Sequence, residues 1–351
     1  MKALLIGNFL SATKGTRGVC EDLALQLQTA GWQVSTASAH PSRLRRLMDM
    51  VSVTWRQRTE YNVAQVDVFS NLSFIWAEVV CALLKLIRKP YVLTLHGGGL
   101  PEFARRWPTR VRRLLGSAEI VTAPSRFLIE QMSIYRDDLI LQPNPLDLSG
   151  YQFHPREHPQ PQLVWLRAFH EIYNPTMAPR VLAFLLADFP NLRLTMIGPD
   201  RHDGSLQATK RIAERLGVRD RIVFSGKVAK ERISDWLNVG DIFLNTTNID
   251  NTPVSVLEAW ACGLCVVSTN SGGLPYLLKD EEDALLVSPN EPLAMAAAVR
   301  RCLRDHQLAE KLSRNGRRKA EEFDWSILRP RWHQLLTAAS TRQRMVKFLR
   351  P

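Results

Sequence analysis

Short apolar runs alternate with segments of helical periodicity in the first part of the chain. Residues 2–6 form an apolar run, residues 7–18 are loop-like, and Val19 to Ala30 carries apolar residues at helical spacing. Gly31 ends this helix, and Val34 opens the next run. Strands that alternate with helices predict a doubly wound α/β domain with a parallel sheet. Further runs of the same kind lie at 67–70, 90–95 and 120–123.

The pattern stops at Gln142 and starts again at Gln162. The stretch between them has no periodicity and many prolines, which is typical of a domain linker. Beyond it, the same alternation predicts a second doubly wound domain, so we expect domains over 1–150 and 162–325 joined by a linker over 151–161. In such sheets ligands bind outside the carboxyl ends of the strands. Strands are predicted at 162–166, 193–198, 221–226, 241–245 and 265–268, and helices at 206–216, 233–238 and 254–261.

Composition and charge narrow the classes of protein. The 351 residues are 45% apolar and 23% charged, which excludes a disordered tail or a disulfide-stapled mini-protein. Lys and Arg number 46 against 34 Asp and Glu, a net charge of +12. Net charge acts on association rather than on the fold, so this excess indicates nucleic acid, a membrane surface or a phosphorylated substrate as partner.

The apolar runs are too short for a signal peptide or a membrane-spanning helix. The first run ends at Ile6, and the longest, over 74–87, is interrupted by Glu78 and Lys85. We therefore expect a soluble, cytoplasmic protein.

The five cysteines are odd in number and dispersed, which fits a reducing compartment. Cys262 and Cys265 have the spacing of a redox or zinc half-site. Apolar residues surround them and no second pair follows, so we predict that both are buried and structural.

Two glycine-containing loops flank predicted elements of the first domain. His96 and the three glycines 97–99 follow the 90–95 strand and are similar to the oxyanion loop of lipases, but no serine lies in a nucleophile elbow, which argues against an esterase. What remains is a strand-end histidine beside glycines that let a ligand approach backbone N–H groups, or a flexible turn. Gly15 and Gly18 precede the first helix, where anions are favoured. Neither a dinucleotide fingerprint nor a P-loop occurs in the chain.

The most specific stretch runs from Asn245 to Pro275. Asp250 precedes a predicted helix, Glu258 lies eight residues later inside it, and a strand and a Ser-Gly-Gly turn follow. This stretch resembles the signature of the GT-B glycosyltransferases of family 4, in which two acids eight residues apart lead into a Glu-Ala-x-Ala-x-Gly-x-Pro-Val-Val run. Arg167 after the 162–166 strand also matches the family. The resemblance covers nearly the whole chain, strongly in its second half and more loosely in its first.

The resemblance implies a GT-B fold: two Rossmann-like domains facing an interdomain cleft, the first binding the acceptor and the second the nucleotide-sugar. It further implies that a segment over about 326–351 packs back on the first domain. The implied activity is transfer of a sugar, of the hexosyltransferase type, with retention of configuration. No metal and no other cofactor is expected. No carboxylate pair can be assigned as acid and nucleophile, so the leaving phosphate is expected to take the acceptor's proton.

Roles for single residues follow from the same resemblance. Catalytic roles fall to His96 near the reacting sugar, Arg167 on the diphosphate, and Asp250 on hydroxyls of the donor sugar. A permanently charged guanidinium suits the diphosphate. For Asp250 and Glu258 the alternative is a structural carboxylate on a helix surface. Donor binding falls to Gly15 and to Gly272 and Gly273 near the phosphates, Lys227 and Val228 at the base, and Glu258 on the ribose.

One departure from the family concerns the second phosphate-binding cation. The family usually places a lysine five or six residues after the arginine, where this chain has Ile172 and Tyr173. His170, Lys227 or a basic residue of the first domain could replace it. The alternative is a non-catalytic nucleotide-sugar-binding protein of the same fold.

The positive charge is unevenly distributed. Residues 1–160 hold 19 Lys and Arg against 13 Asp and Glu, residues 161–328 hold 21 of each kind, and residues 329–351 hold six Lys and Arg and no acid. Arginines mixed with Trp, Phe and Leu suit an anionic membrane surface, with a solvated helix face as the alternative. No nucleic-acid-binding module accompanies them, so a basic nucleic-acid binder is the less favoured hypothesis. The residues expected at the membrane are Arg43, Arg45, Arg46, Arg105, Arg106, Arg112 and Arg113.

The membrane expectation extends to the acceptor. We expect a glycan or a lipid-linked intermediate at the cytoplasmic membrane face, in the assembly of a bacterial surface polysaccharide.

Overall fold

A computed structural model of the protein describes residues 1–11 and 18–341. The chain forms two compact units, one made of Met1–Pro145 together with the chain from Trp325 onward, and the other of Leu146–Asp324. The first unit therefore ends at Pro145, and the proline-rich residues 151–161 belong to the second unit.

The first unit is built on a parallel sheet of six strands in the order β2-β1-β3-β4-β5-β6. Side chains of β1 alternate between two cores: Leu4 and Ile6 pack on one face, and Ala3 and Leu5 on the other. Every residue of β4 is buried, as expected for a central strand covered on both faces. The strands are β1 (Lys2–Ile6), β2 (Gln33–Ala37), β3 (Val63–Val68), β4 (Tyr91–Leu95), β5 (Ile120–Ala123) and β6 (Ile140–Leu141).

Helices cover both faces of this sheet. Ser125 caps one of them, because its hydroxyl accepts a hydrogen bond from the backbone N–H of Leu128 at 3.1 Å. The helices are α1 (Val19–Thr29), α2 (Arg43–Arg56), α3 (Leu72–Leu86), α4 (Leu100–Arg106), α5 (Pro108–Leu115) and α6 (Arg126–Met132).

The second unit repeats this architecture, with a parallel sheet in the order β12-β11-β10-β7-β8-β9. Its strands are β7 (Gln162–Leu166), β8 (Arg193–Ile197), β9 (Ile222–Gly226), β10 (Ile242–Asn245), β11 (Cys265–Thr269) and β12 (Ala284–Val287). Its helices are α7 (Met177–Leu185), α8 (Ser205–Arg215), α9 (Ile233–Leu237), α10 (Val254–Cys262), α11 (Leu274–Leu277), α12 (Pro292–Arg304) and α13 (His306–Glu321). Short 3₁₀ turns lie at Leu148–Gly150, Glu171–Tyr173, Arg219–Arg221 and Lys230–Arg232.

The chain then returns to the first unit as a helix, α14 (Trp325–Ser340). Trp325, Trp332 and Leu336 are buried against the face of the first sheet that also carries α1. Residues 342–351, which hold four of the six basic residues counted at the C-terminal end, lie outside the described residues.

Most predicted strands are confirmed to within one or two residues, but the prediction over 67–70 is wrong. The strand there is β3, and Asp67 lies near its end rather than at its start. Polar Gln65 and Asp67 alternate with valine and alanine along β3, so the strand lacks the continuous apolar run that marks its neighbours. The two-residue β6 and the short β12 were not predicted.

All five cysteines are free and buried, which confirms the structural prediction for Cys262 and Cys265. Burial raises the pKa of the Cys262 thiol to about 11, so this thiol is not activated as a nucleophile. Among the described residues, no helix is long and apolar enough to span a bilayer.

Candidate functional site

In the second unit, four neighbouring strands end at one edge of the sheet. β7, β8, β10 and β11 are adjacent, and Arg167 follows β7 directly. Residues 246–253 connect β10 to α10, and residues 270–273 connect β11 to α11. Since parallel strands present their carboxyl ends together, this edge gathers the predicted Arg167, Asp250, Glu258, Gly272 and Gly273.

Arg167 is a cation of this edge whose side chain is 20% exposed. Its guanidinium forms an ion pair with the carboxylate of Asp250, and its Cζ lies 4.5 Å from the ring centre of Tyr173. Its Nε has no hydrogen-bond partner among the described residues. Burial lowers the pKa of Arg167, and Tyr173 and Glu258 oppose this shift. A desolvated guanidinium of this kind favours an anion that brings further negative charge.

The position where the family usually carries a lysine holds an aromatic ring. The backbone N–H of Asn248 donates to the carbonyl of Ile172 at 2.8 Å, and the hydroxyl of Thr246 donates to the carbonyl of Tyr173 at 2.8 Å. The loop after β10 thus fastens the 171–173 turn beside Arg167. His170 accepts a hydrogen bond from the backbone N–H of Ile172 through Nδ1 at 3.2 Å, so this nitrogen is occupied in capping the turn.

Glu258 is a carboxylate inside a helix that has almost no exposed face. Every residue of α10 from Ser255 to Cys262 is buried, and Glu258 itself is only 8% exposed. The Tyr151 hydroxyl donates a hydrogen bond to its Oε1 at 2.7 Å. Burial raises the pKa of Glu258, while Tyr151, Lys230 and Arg167 act in the opposite direction. The alternative of a solvated helix-surface carboxylate is therefore wrong for Glu258.

Gly272 and Gly273 bring the loop after β11 against the loop that carries Asp250. The backbone N–H of Gly273 donates to the carbonyl of Asp250 at 2.7 Å. Gly272 has a φ of +60°, and a Cβ there would overlap that same carbonyl oxygen. A Cβ at Gly273 would overlap the carbonyl oxygen of Asn251. Both positions therefore require glycine. Their close contact with the backbone of Asp250 and Asn251 holds Asp250 in place at the carboxyl ends of the strands.

The two residues predicted at the base lie after β9, the edge strand next to β8. Lys227 is exposed, whereas Val228 is half-buried and packs against the core that includes α10. Lys230, three residues further on, is exposed and acts electrostatically on Glu258. In the segment after β9, Lys230 is thus the residue whose charge acts on Glu258, and no sequence pattern singles it out.

In the first unit, a buried polar network lies at the carboxyl ends of β3 and β4. His96 is 9% exposed, and its Nε2 lies 2.9 Å from Oδ1 of Asp67. The side-chain amide of Gln65 donates to the same Oδ1 at 2.7 Å and to Thr94 at 2.9 Å. The ring of Phe69 stacks on His96 with centres 4.9 Å apart. A carboxylate at Nε2 fixes the ring's orientation and its tautomer, with the proton on Nε2.

Glycines shape this histidine site as well. Gly97 has a φ of +85°, and neither Gly97 nor Gly98 has a heavy atom within 4 Å of an added Cβ, so open space surrounds this loop. At the end of β1, a Cβ on Gly7 would lie 2.5 Å from Oδ2 of Asp67. Gly7 thus leaves room for the carboxylate that holds His96. Gly15, predicted near the phosphates, lies outside the described residues.

Besides Lys230, three residues of the two sites are not predicted from the sequence. Asp67 lies at the start of the predicted 67–70 strand, although its alternation with Gln65 indicates polar groups on one face of β3. Tyr151 lies in the stretch predicted as linker, and no local pattern indicates that it reaches Glu258, 107 residues away in sequence. Tyr173 stands at a position where the family usually has a lysine, and the sequence does not indicate that its ring contacts Arg167. Within residues 1–11 and 18–341, no cluster of three His, Cys, Asp or Glu has the arrangement of a metal site.

The basic residues expected at a membrane are not all on the surface. Arg46 is buried, and its guanidinium donates to the carbonyls of His40 and Pro41 and to the side chain of Asn8 at 2.8 to 2.9 Å. Its inclusion among membrane-contacting residues is therefore wrong, because it is buried and its Nε, Nη1 and Nη2 each donate a hydrogen bond within the first unit. The other six are exposed: Arg43, Arg45, Arg105, Arg106, Arg112 and Arg113.

Comparison with known proteins finds a similarity to one family, confined to the second unit. The family described as "Glycosyl transferases group 1" matches residues 152–319. A D-inositol 3-phosphate glycosyltransferase from Streptomyces avermitilis is 29% identical over 189 residues, which cover 51% of this chain and 41% of the relative. The chain thus spans about two fifths of the length of that curated relative.

Solved structures show the fold. A sucrose-phosphate synthase from Thermosynechococcus elongatus superposes with a TM-score of 0.77 at 19% identity, covering 95% of this chain and 98% of the other. Anabaena HepE in complex with UDP superposes with a TM-score of 0.74 at 17% identity, covering 96% and 100%. The expected fold class, α/β of the GT-B type with two Rossmann-like units, is confirmed.

Proposed function

We propose that this protein is a glycosyltransferase using a nucleotide-sugar donor, since residues 152–319 match the family described as "Glycosyl transferases group 1". The sugar passes to a glycan or a lipid-linked acceptor. The observation that carries this proposal is Glu258, a carboxylate buried in a helix without an exposed face and held by one phenol beside Arg167. Buried carboxylates are rare in proteins and are concentrated at functional sites, where they can accept hydrogen bonds from a ligand's hydroxyls.

Each group at the second strand edge suits one part of the donor. Glu258 accepts hydrogen bonds from the ribose, and Asp250 binds hydroxyls of the sugar. Arg167 turns from its ion pair toward the diphosphate, and the backbone around Gly272 and Gly273 lines the same end. Lys227 and Val228 contact the base. The departing diphosphate gains charge as the bond to the sugar breaks, and a guanidinium already desolvated stabilises that charge more than one in water.

In the first unit, His96 contacts a hydroxyl near the reacting carbon. Because Nε2 faces the carboxylate of Asp67, Nδ1 is the ring nitrogen that can accept a hydrogen bond from this hydroxyl. In the transfer step the acceptor hydroxyl forms a bond to the anomeric carbon, the bond from that carbon to the diphosphate oxygen breaks, and the diphosphate takes the acceptor's proton. Configuration is retained, and neither a metal nor another cofactor takes part.

Lys230 is our candidate for the missing second cation. It acts on Glu258 through space, and its ammonium can turn toward a bound diphosphate. Tyr173 instead supports Arg167 through its ring face, since cation–π contact adds to the stability of a desolvated guanidinium.

A non-catalytic nucleotide-sugar-binding protein is the second candidate, favoured by the aromatic ring at the lysine position. Turnover separates the two. The enzyme releases nucleoside diphosphate from its donor, and release falls by at least about a hundredfold in Arg167→Ala, as for loss of a charge that stabilises the transition state. Release also falls in Glu258→Ala, because the ribose loses the carboxylate that accepts its hydrogen bonds. Affinity for the donor without release in the wild type would favour the binding protein.

The donor is identified by thermal shift. UDP, GDP and ADP are added to the full chain, both as free nucleotides and as their common nucleotide-sugars. The cognate nucleotide raises the melting temperature of the protein. Glu258→Gln should lose most of the shift for the cognate nucleotide while melting close to the wild type without ligand. A panel in which no nucleotide shifts the wild type contradicts the proposal.

The setting we propose is the cytoplasmic face of a bacterial membrane, in surface-polysaccharide assembly. It is supported by the exposed arginines of the first unit, which suit an anionic lipid surface. Deletion of the gene in its host should remove one glycan from the cell surface, read by electrophoresis of extracted polysaccharide. An unchanged polysaccharide profile would contradict this part.

A further inference from the structure

A groove of about 410 Å³ opens on the first unit, and no site described above includes it. It lies where the beginning of α3 faces α4 and α5. This volume falls within the range of about 300 to 1,000 Å³ typical of small-molecule sites. We call it the α3–α5 groove. Six of the residues that line it matter here: Leu72, Ile75, Phe103, Arg106, Trp107 and Arg110.

Large apolar side chains line the groove yet remain open to solvent. Leu72 is 61% exposed, Trp107 51% and Ile75 39%, while Phe103 lies buried beneath them. Further along α3, Val79 and Leu86 are also exposed and continue the apolar surface. A cluster of exposed apolar side chains on a concave surface indicates a binding site for an apolar group, whereas single exposed apolar residues are ordinary.

Two arginines and the carboxylate of Glu102 form the polar rim. Glu78 holds Arg110 through two hydrogen bonds, of 3.0 and 2.5 Å, and the guanidinium lies 5.5 Å from the ring centre of Trp107. Arg106 pairs with Glu102 at 2.7 Å, but its side chain is 72% exposed and the pair is readily exchanged for another anion. An apolar surface edged by guanidinium groups is complementary to a lipid that carries a phosphate.

The groove adjoins the His96 loop. Gly99 also lines the groove and follows His96 by three residues, so their Cα atoms are at most about 11 Å apart. Phe69, which stacks on His96, precedes the groove residue Asn71 by two positions. A molecule whose phosphate sits at the rim can therefore extend its glycan toward His96.

We propose that the α3–α5 groove binds the hydrocarbon chain of a lipid-phosphate acceptor as a single molecule, with Arg106 and Arg110 holding its phosphate. This inference rests on the proposed function, since it assigns the acceptor class to a surface of the same unit. The competing occupant is the membrane surface itself, which would contact Leu72 and Trp107 without selecting a single lipid.

Binding is tested first without any transfer reaction. 2-Bromododecyl phosphate, kept below its micelle concentration, carries its bromine beside the phosphate and should quench the fluorescence of Trp107, because bromine quenches only at contact and Trp107 lies beside Arg110. Trp107→Phe should remove that quenching, and Trp55→Phe, which replaces another exposed tryptophan of the first unit, should leave it. Arg106→Gln should weaken binding of the phosphate about tenfold more than binding of 2-bromododecanol. No quenching of the wild type, or equal quenching in Trp107→Phe, overturns the proposal.

Transfer is tested with two acceptors that share sugar and phosphate but differ in chain length. Leu72→Asp places a carboxylate at the first residue of α3, where a negative charge favours the helix, so the variant should fold. Its KM for the long-chain acceptor should rise about tenfold, with the KM for the short-chain acceptor unchanged. Leu44→Asp, at a 68% exposed leucine in the basic helix α2, is the matched control and should match the wild type.

The outcomes separate the two proposals. A wild type that transfers to neither acceptor contradicts the proposed function, while the quenching assay still decides on the groove. If Leu72→Asp and Leu44→Asp raise KM equally, and only when the acceptor is embedded in vesicles, the surface is a membrane contact and the groove proposal is overturned.

Discussion

At residue scale, Glu258 shows how one hydrogen bond adjusts a buried charge. Burial raises the pKa of this carboxyl, and the hydrogen bond from Tyr151 lowers it again. The position of Glu258 is predictable from its motif, since it follows Asp250 by eight residues. Tyr151 is not, because the contact joins segments 107 residues apart and depends on the packed unit.

Tyr151→Phe should therefore weaken nucleotide binding in a pH-dependent manner. Loss of the donor raises the pKa of Glu258 further, so the ionised form that accepts the ribose hydroxyls is lost at a higher pH as pH falls. We expect a dissociation constant about tenfold larger at neutral pH, as for loss of one hydrogen bond to a charged group, and a steeper loss of affinity from neutral to acidic pH. Calorimetric titration across this range checks both effects. Tyr135→Phe, in the first unit, is the control, and an identical pH profile for Tyr151→Phe and wild type would contradict this role.

Asp67 acts on His96 in a comparable way. Removal of its carboxylate in Asp67→Ala leaves Nε2 without its partner, so the ring should populate both tautomers instead of the Nε2–H form alone. ¹⁵N NMR of labelled histidine distinguishes the two tautomers. The rate of sugar transfer should fall by about tenfold or more, mostly in kcat, because Nδ1 of His96 is no longer held in position to accept its hydrogen bond. An unchanged tautomer with reduced transfer would mean that Asp67 serves only the fold.

At the scale of elements, the strands that are buried on both faces could be predicted from sequence. β4 and β11 are mostly apolar, with Thr94 in β4 and Ser268 and Thr269 at the end of β11 as the polar residues, because helices cover both faces of these strands. β3 could not be placed in the same way, because its buried Gln65 and Asp67 form the network around His96. The error thus falls where a polar network around His96 takes the place of apolar side chains.

The loop after β11 supplies an element-scale prediction. Gly272→Ala places a methyl group against the carbonyl of Asp250, which must move and weaken its ion pair with Arg167. We expect donor affinity to fall by about tenfold or more, with a loss of stability of about 1 to 3 kcal/mol. Gly217→Ala is a matched control, since its φ of +68° causes similar strain while its Cβ meets open space. Equal donor affinity in the two variants would contradict the role of Gly272.

At the scale of the whole molecule, positive charge belongs to one unit. The first unit carries 24 Lys and Arg against 11 Asp and Glu, a net charge of +13, and the second carries 22 against 23. The sequence indicated this imbalance by segment. The sequence could not show that Arg46 is buried and hydrogen-bonded within the first unit, because its partners Asn8, His40 and Pro41 come together with it only in the folded chain.

Association with anionic vesicles tests the use of this charge. Arg112→Glu/Arg113→Glu in the first unit should reduce the bound fraction by about tenfold, as each cation near an anionic surface contributes on the order of 1 kcal/mol. Arg211→Glu/Arg215→Glu changes the second unit's exposed α8 by the same charge and should have little effect. Co-sedimentation at low and at physiological salt gives the readout. Equal loss in both double variants would mean that net charge alone drives adsorption.

The central claim is that a nucleotide-sugar bound beside Arg167 and Glu258 gives up its sugar to an acceptor. The most direct measurement incubates the full chain with the donor found by thermal shift and a lipid extract, and counts nucleoside diphosphate released and sugar gained by the lipid. We predict equal amounts of both in the wild type and neither in Arg167→Ala. Release of nucleoside diphosphate without sugar gained by the lipid extract, or binding of the donor without release, would contradict the claim.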